Sequence, residues 1–163
     1  MINKELQKRI LSSIILIPIA IFFIIQGSIF FIFFLSLLFL ATSYEWAKMC
    51  KTKYSIFFLG ITFLFISFFF AYYIRENIGL IFFLFIIIIC IFTDLGGYIF
   101  GKIFKGPKLT KISPNKTYSG VIGGFLLSLA AGLFFLEYTN TNFFENNSTK
   151  ILIGILFISS ISQ

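Results

Sequence analysis

Six apolar stretches divide the chain, at residues 10–26, 28–47, 55–73, 78–93, 121–138 and 151–161. Each is apolar all round, without the one-sided stripe that faces a soluble core, and this is the pattern of segments surrounded by lipid. Residues 10–26 would rise ~26 Å as a helix, just enough for a hydrocarbon core of about 30 Å, whereas 151–161 is too short to cross. The pattern predicts an all-α, polytopic integral membrane helix bundle. It has about five full spans plus a truncated sixth, in a single membrane domain over residues 1–163. Gln26-Gly27-Ser28 predicts a tight break between two arms of a hairpin. Arg75-Glu76-Asn77 predicts a minimal turn, and the fourth span then runs apolar to Thr93, where Asp94 interrupts it. Residues 1–26 read as a span rather than a secretory leader, since a second apolar run follows at once and no small-x-small cleavage site is present.

Composition strengthens this reading. The chain is 59% hydrophobic and only 12% charged, with a mean hydropathy of +1.03, more apolar surface than a soluble domain of this size could hide. It has no histidine, which excludes His-based acid/base chemistry and the commonest transition-metal ligand within it. Cys50 and Cys90 lie in or near separate spans, so no disulfide framework or zinc spacing is visible. The net charge of +7 is dispersed among spans rather than gathered on one face, so nucleic acid is not expected as a partner.

The cations instead report topology. Lys4, Lys8 and Arg9, then Lys48, Lys51 and Lys53, then Lys102, Lys105, Lys108, Lys111 and Lys116 occupy alternate connections; only Arg75 and Lys150 fall on the others. The positive-inside rule predicts a cytoplasmic N-terminus and a cytoplasmic polar loop at about 101–119. Heavy use of Ile, Phe, Lys and Asn fits an AT-rich bacterial genome and hence an inner membrane.

Residues 94–124 form the one polar island. A centrally placed Asp costs ~3 kcal/mol to insert into a bilayer, so Asp94 reads either as a structural acid paired with a nearby Lys or as a site carboxylate that organises cations. On a helix Asp94, Gly97, Tyr98 and Gly101 share one face. Gly97 and Gly101, answered by Gly120, Gly124, Ser128 and Gly132, predict a seam of close helix packing. The lysine repeat is broken by Gly106-Pro107 and Ser113-Pro114, which predicts a fixed loop with lysines fanned toward the headgroup layer. Ser113 as cap and Pro114 at the first helical position predict the start of the fifth helix there. The first-turn amides of Asn115 and Lys116, with the Lys116 charge and the Thr117 hydroxyl, would then cradle a phosphate.

These residues resemble the middle of the phosphatidate cytidylyltransferase (CDP-diacylglycerol synthase) family. The resemblance rests on Asp94, Gly97-Tyr98, Phe100-Gly101-Lys102, Lys108-Leu109, Ile112-Ser113-Pro114, Lys116-Thr117, Gly120 and Ile122-Gly123-Gly124. Asn115, Tyr118 and Ser119 stand where the family reads Lys, Trp and Glu. The resemblance implies CTP and phosphatidic acid as substrates at a lipid membrane, CDP-diacylglycerol and pyrophosphate as products, and a divalent metal, Mg2+, as cofactor. Lys102, Lys108, Ser113, Lys116 and Thr117 would bind substrate phosphates, and Asp94 would serve in a supporting catalytic role. The family continues into a Pro-Gly-His-Gly-Gly segment and further aspartates that this chain lacks. The expectation is therefore a chain incomplete at its C-terminus, without the main metal ligands, inactive alone and possessing a separately encoded C-terminal half as partner. Two other classes stay open: a non-catalytic membrane remnant or assembly subunit, and a small transporter coupling through Asp94.

Overall fold

The computed structural model describes residues 4–50, 54–108, 116–139, 154–155 and 157–159. Five helices follow in order: α1 (Lys4–Gln26), α2 (Ser28–Cys50), α3 (Tyr54–Tyr73), α4 (Leu80–Phe104) and α5 (Tyr118–Thr139), with a single π turn at Ile74–Ile78 between α3 and α4. Helix is what such a sequence must adopt in lipid, because no water is present to satisfy an open backbone. Ser28–Cys50, Tyr54–Ile78, Leu80–Phe104 and Tyr118–Thr139 are long and apolar enough to cross a membrane, and α1 contributes a shorter apolar run, Leu11–Gln26. Large apolar side chains stand outward, Leu59 and Phe134 each 72% exposed, as lipid-facing positions should. The chain is an all-α polytopic membrane protein.

α4 carries the helix past the end of the apolar run: it passes Asp94 without a break and stays helical to Phe104, as the helical placement of Asp94, Gly97, Tyr98 and Gly101 requires. One polar side chain does not stop a helix whose backbone bonds are all internal.

Internal contacts divide the chain into two compact units, Met1–Phe83 and Leu84–Gln163. In the first, Gly27 (φ 66°) and Ser28 (φ 50°) both take left-handed backbone, which reverses the chain between α1 and α2 as the Gln26-Gly27-Ser28 break predicts. Arg75 and Glu76 hold this reversal. Arg75 donates from Nε to the Ile24 carbonyl (2.8 Å) and from Nη2 to that of Ile25 (3.0 Å), while Glu76 Oε1 accepts the Ser28 N–H (2.8 Å). The cation sits on the negative end of α1 and the carboxylate on the positive end of α2, the arrangement that helix dipoles favour. The two side chains are only 13% and 26% exposed. Further along the α2–α3 pair, the Trp46 indole lies against Gly60 and donates to the Phe57 carbonyl at 3.3 Å.

In the second unit Phe85, Ile89, Thr93 and Gly96 form the buried line of α4, and Gly120, Gly123, Gly124, Ser128 and Gly132 that of α5. The helices meet backbone to backbone. A Cβ on Gly96 would lie 2.6 Å from the Gly123 carbonyl oxygen, and one on Gly120 would lie 2.7 Å from that of Gly97. Gly123 lies under the Phe100 ring. The expected seam is thus present and wider than its four-residue spacing suggested, with Gly96 and Gly123 as added members. Toward the far end, Phe85, Ile89 and Ile155 pack with Leu129, Phe135, Leu136 and Ile158. The buried hydroxyls of Thr93 and Ser128 return to carbonyls of their own helices, Ile89 (2.7 Å) and Phe125 (3.0 Å), so no polar group is stranded at these two positions.

Candidate functional site

The glycine seam brings the end of α4 against the start of α5. Gly101 and Gly120 face one another there, and a Cβ on Gly101 would lie 3.1 Å from Thr117 Oγ1. Beyond Phe104 the chain turns through Lys105 in left-handed backbone (φ 40°). It then folds back, so that Lys108 pairs with Thr117 in an isolated antiparallel bridge. The Tyr118 N–H donates to the Pro107 carbonyl at 3.1 Å. Residues 109–115, including the expected ligand Ser113, lie outside the described residues.

α5 begins later than the Ser113-Pro114 signal indicates. Its first residue is Tyr118 and its cap is Thr117, whose Oγ1 accepts the Gly120 N–H at 3.2 Å and whose carbonyl accepts that of Val121 at 3.1 Å. A threonine cap bonding the third helical amide is a favoured helix start. Lys116 therefore precedes the helix, and its amide is not a first-turn donor. The Thr117 oxygen is engaged as well, lying 3.1 Å from Ser119 Oγ, which in turn accepts the Gly106 N–H at 3.3 Å. The sequence marks Gly106 only as a break in the lysine repeat and Ser119 only as a departure from the family's Glu, and does not reveal their contact; the available signal was a hydroxyl two residues after a cap and a glycine following a helix end.

Lys102, Lys105, Lys108 and Lys116 are exposed around this junction, with Thr117 and Ser119 half-buried. Lys102 Nζ sits 5.6 Å from the Tyr98 ring centroid and 3.5 Å from its hydroxyl. The structure thus collects the cations at one end of the α4–α5 pair, a geometry suited to a polyanion. Asp94 is elsewhere. It lies seven residues before Gly101, ~10 Å along the helix axis, and it is exposed beside Tyr98 (67%) and away from the seam. The face expected to unite Asp94, Gly97, Tyr98 and Gly101 is divided: the two glycines turn toward α5 and the other two outward. No ion pair of Asp94 occurs among the described residues. Nor do the described residues gather three His, Cys, Asp or Glu as a metal would require. Glu45, Glu76, Asp94 and Glu137 sit on four different elements, so the described residues do not assemble a divalent-metal site.

Comparison with known proteins follows the same segment. Phosphatidate cytidylyltransferase of Staphylococcus aureus (strain COL) is 39% identical over 97 residues, 59% of this chain and 35% of that protein. The enzyme of that name from Staphylococcus haemolyticus is 33% identical over 96 residues, 58% of this chain and 36% of the relative. That from Haemophilus influenzae is 34% identical over 77 residues, covering 46% and 27%. The chain spans about a third of the length of the curated relatives it matches. No solved structure matches it. Residues 52–163, more than half of the chain and including the whole cationic junction, match the cytidylyltransferase family, and the chain belongs to that family.

Proposed function

We propose that this chain carries the phosphate-binding part of a CTP:phosphatidate cytidylyltransferase, which makes CDP-diacylglycerol and pyrophosphate for phospholipid synthesis. The observation that carries the reading is the Lys108–Thr117 pairing, which closes a cationic junction inside the family-matched segment. In the proposed reaction a phosphate oxygen of phosphatidate attacks the α-phosphorus of CTP. The bond from that phosphorus to the bridging oxygen breaks, and the electron pair leaves with pyrophosphate. Both reactants are anions, so their approach and the departure of pyrophosphate need fixed positive charge more than covalent help. Lys102, Lys108 and Lys116 would supply that charge, and the hydroxyls of Thr117 and Ser113 would donate to phosphate oxygens. Asp94, ~10 Å from Gly101 along α4, would act in a supporting role only. A divalent metal, Mg2+ by the resemblance, would add positive charge to this reaction as an electrostatic partner.

In this reading the membrane is a bacterial inner membrane, with the N-terminus and the junction on the cytoplasmic side where CTP is found. The test is equilibrium binding of CTP to the chain reconstituted with phosphatidate, together with formation of labelled CDP-diacylglycerol. CTP binding that is lost in the Lys116→Ala, Thr117→Ala double variant is expected. A chain that binds no CTP, or a double variant that binds it unchanged, would sink the proposal.

A further inference from the structure

Two membrane-crossing helices end in the same way. Lys48 stands two residues before the end of α2, and Lys102 two residues before the end of α4. Each ammonium lies over the ring of a tyrosine one turn back, Lys48 Nζ 4.4 Å from the Tyr44 centroid and Lys102 Nζ 5.6 Å from that of Tyr98. The rings are 61% and 67% exposed. The α4 pair adjoins the cationic junction, whereas the α2 pair has no part in the proposed reaction. Its depth follows from the helix. The far end of α2 is marked by Ser28, whose N–H is held by the Glu76 carboxylate. Lys48 stands 20 residues further on, ~30 Å along the axis. The hydrocarbon core of a bilayer is about 30 Å thick, so with Ser28 at one boundary Lys48 reaches the headgroup layer of the other leaflet. Tyrosine favours that level, and a lysine stem keeps its charge outward there. Among the described residues Lys48 makes no hydrogen bond, and Glu45, three residues before it, forms no ion pair. Its three N–H donors face a layer whose fixed acceptors are lipid phosphate oxygens.

We propose that Tyr44 and Lys48 form a binding site for the phosphate of an anionic membrane lipid. The ring holds the ammonium at headgroup level, and the ammonium takes the phosphate. In the proposed orientation this end of α2 meets the cytoplasmic leaflet, whose surface is negative. The site does not rest on the cytidylyltransferase reading, and its test needs no nucleotide, so either can fail without the other. Trp46, the one tryptophan of the chain, stands between Tyr44 and Lys48 and reports on the lipid beside them.

The chain is reconstituted in mixed phosphatidylcholine and phosphatidylglycerol vesicles, with bromine on the acyl chains of one lipid or the other, and quenching of Trp46 is followed. Bromines near the headgroup should quench more than bromines at the chain ends. Phosphatidylglycerol should be preferred over phosphatidylcholine, and Lys48→Ala should lower that preference about fivefold, the worth of one lysine at an anionic surface. Lys51 and Lys53 follow in sequence and remain in that variant, so the loss is read against the parent chain. Lys48→Arg and Tyr44→Phe should keep the preference. Tyr44→Leu should weaken it about twofold, the worth of an exposed cation–π contact. A parent chain that takes both lipids equally, or a Lys48→Ala chain that keeps the parent's preference, overturns the site. Stronger quenching from the chain ends overturns its depth. An undiminished preference in Tyr44→Leu overturns the part given to the ring.

Discussion

At the Ile74–Ile78 turn both charges are consumed inside the fold. Arg75 covers the last carbonyls of α1, and Glu76 covers the first amide of α2. At the 105–117 connection Lys105, Lys108 and Lys116 are exposed, and the helix start is capped by the neutral Thr117 rather than by a charge. Both are charged connections between apolar helices. The difference is that one set of charges meets helix ends of opposite sign, while Lys105 and Lys108 stand exposed beside a helix start that the neutral Thr117 caps. A charge satisfied by its own fold is structural; a cluster of one sign, backed by a rigid seam, is available to a ligand.

Four substitutions test this contrast. The largest effect is expected at the seam, because without it the cationic junction has no support. Gly96→Leu would drive a side chain into the Gly123 carbonyl and Gly124 Cα. It should cost about 3 kcal/mol, at the upper end of overpacking effects, and abolish CTP binding; thermal unfolding in mild detergent measures the first. Arg75→Ala should lower stability by about 2–3 kcal/mol, since charged hydrogen bonds to Ile24 and Ile25 go together, while the folded fraction still binds CTP. Weakened CTP affinity at full stability would erase the contrast between the two connections. The reverse pattern is expected for Lys108→Ala: about tenfold weaker CTP binding with stability within about 0.5 kcal/mol of the parent. The smallest effect belongs to Lys105→Gly. Relief of a left-handed lysine, partly offset by glycine's greater unfolded-state entropy, should raise stability by about 0.5 kcal/mol, seen as a small upward shift of the thermal midpoint.

Much of the fold was legible because lipid leaves few choices. Apolar runs of spanning length become helices, and the Gln26-Gly27-Ser28 break becomes a reversal because only left-handed backbone makes so short a turn. The seam was legible from small residues four apart, although Gly96 and Gly123 escaped that spacing. The site was less so. Ser113-Pro114 carries a strong helix-start signal, yet α5 starts at Tyr118. The competing signal, Thr117 three residues before Gly120, depends on the Gly101 contact and the Lys108 bridge beside it. A local motif cannot register either.

Apolar pattern and charge placement, read by themselves, determined a helical membrane protein with its cations gathered on alternate connections, because burial of backbone and distribution of charge are properties of the chain taken in order. Tertiary structure alone decided that Arg75 is bound up within the fold, that Asp94 turns away from the seam, and that Ser119 and Gly106 belong to the junction. Those outcomes depend on which helix ends and hydroxyls meet across dozens of residues, and only packing brings them within hydrogen-bonding distance.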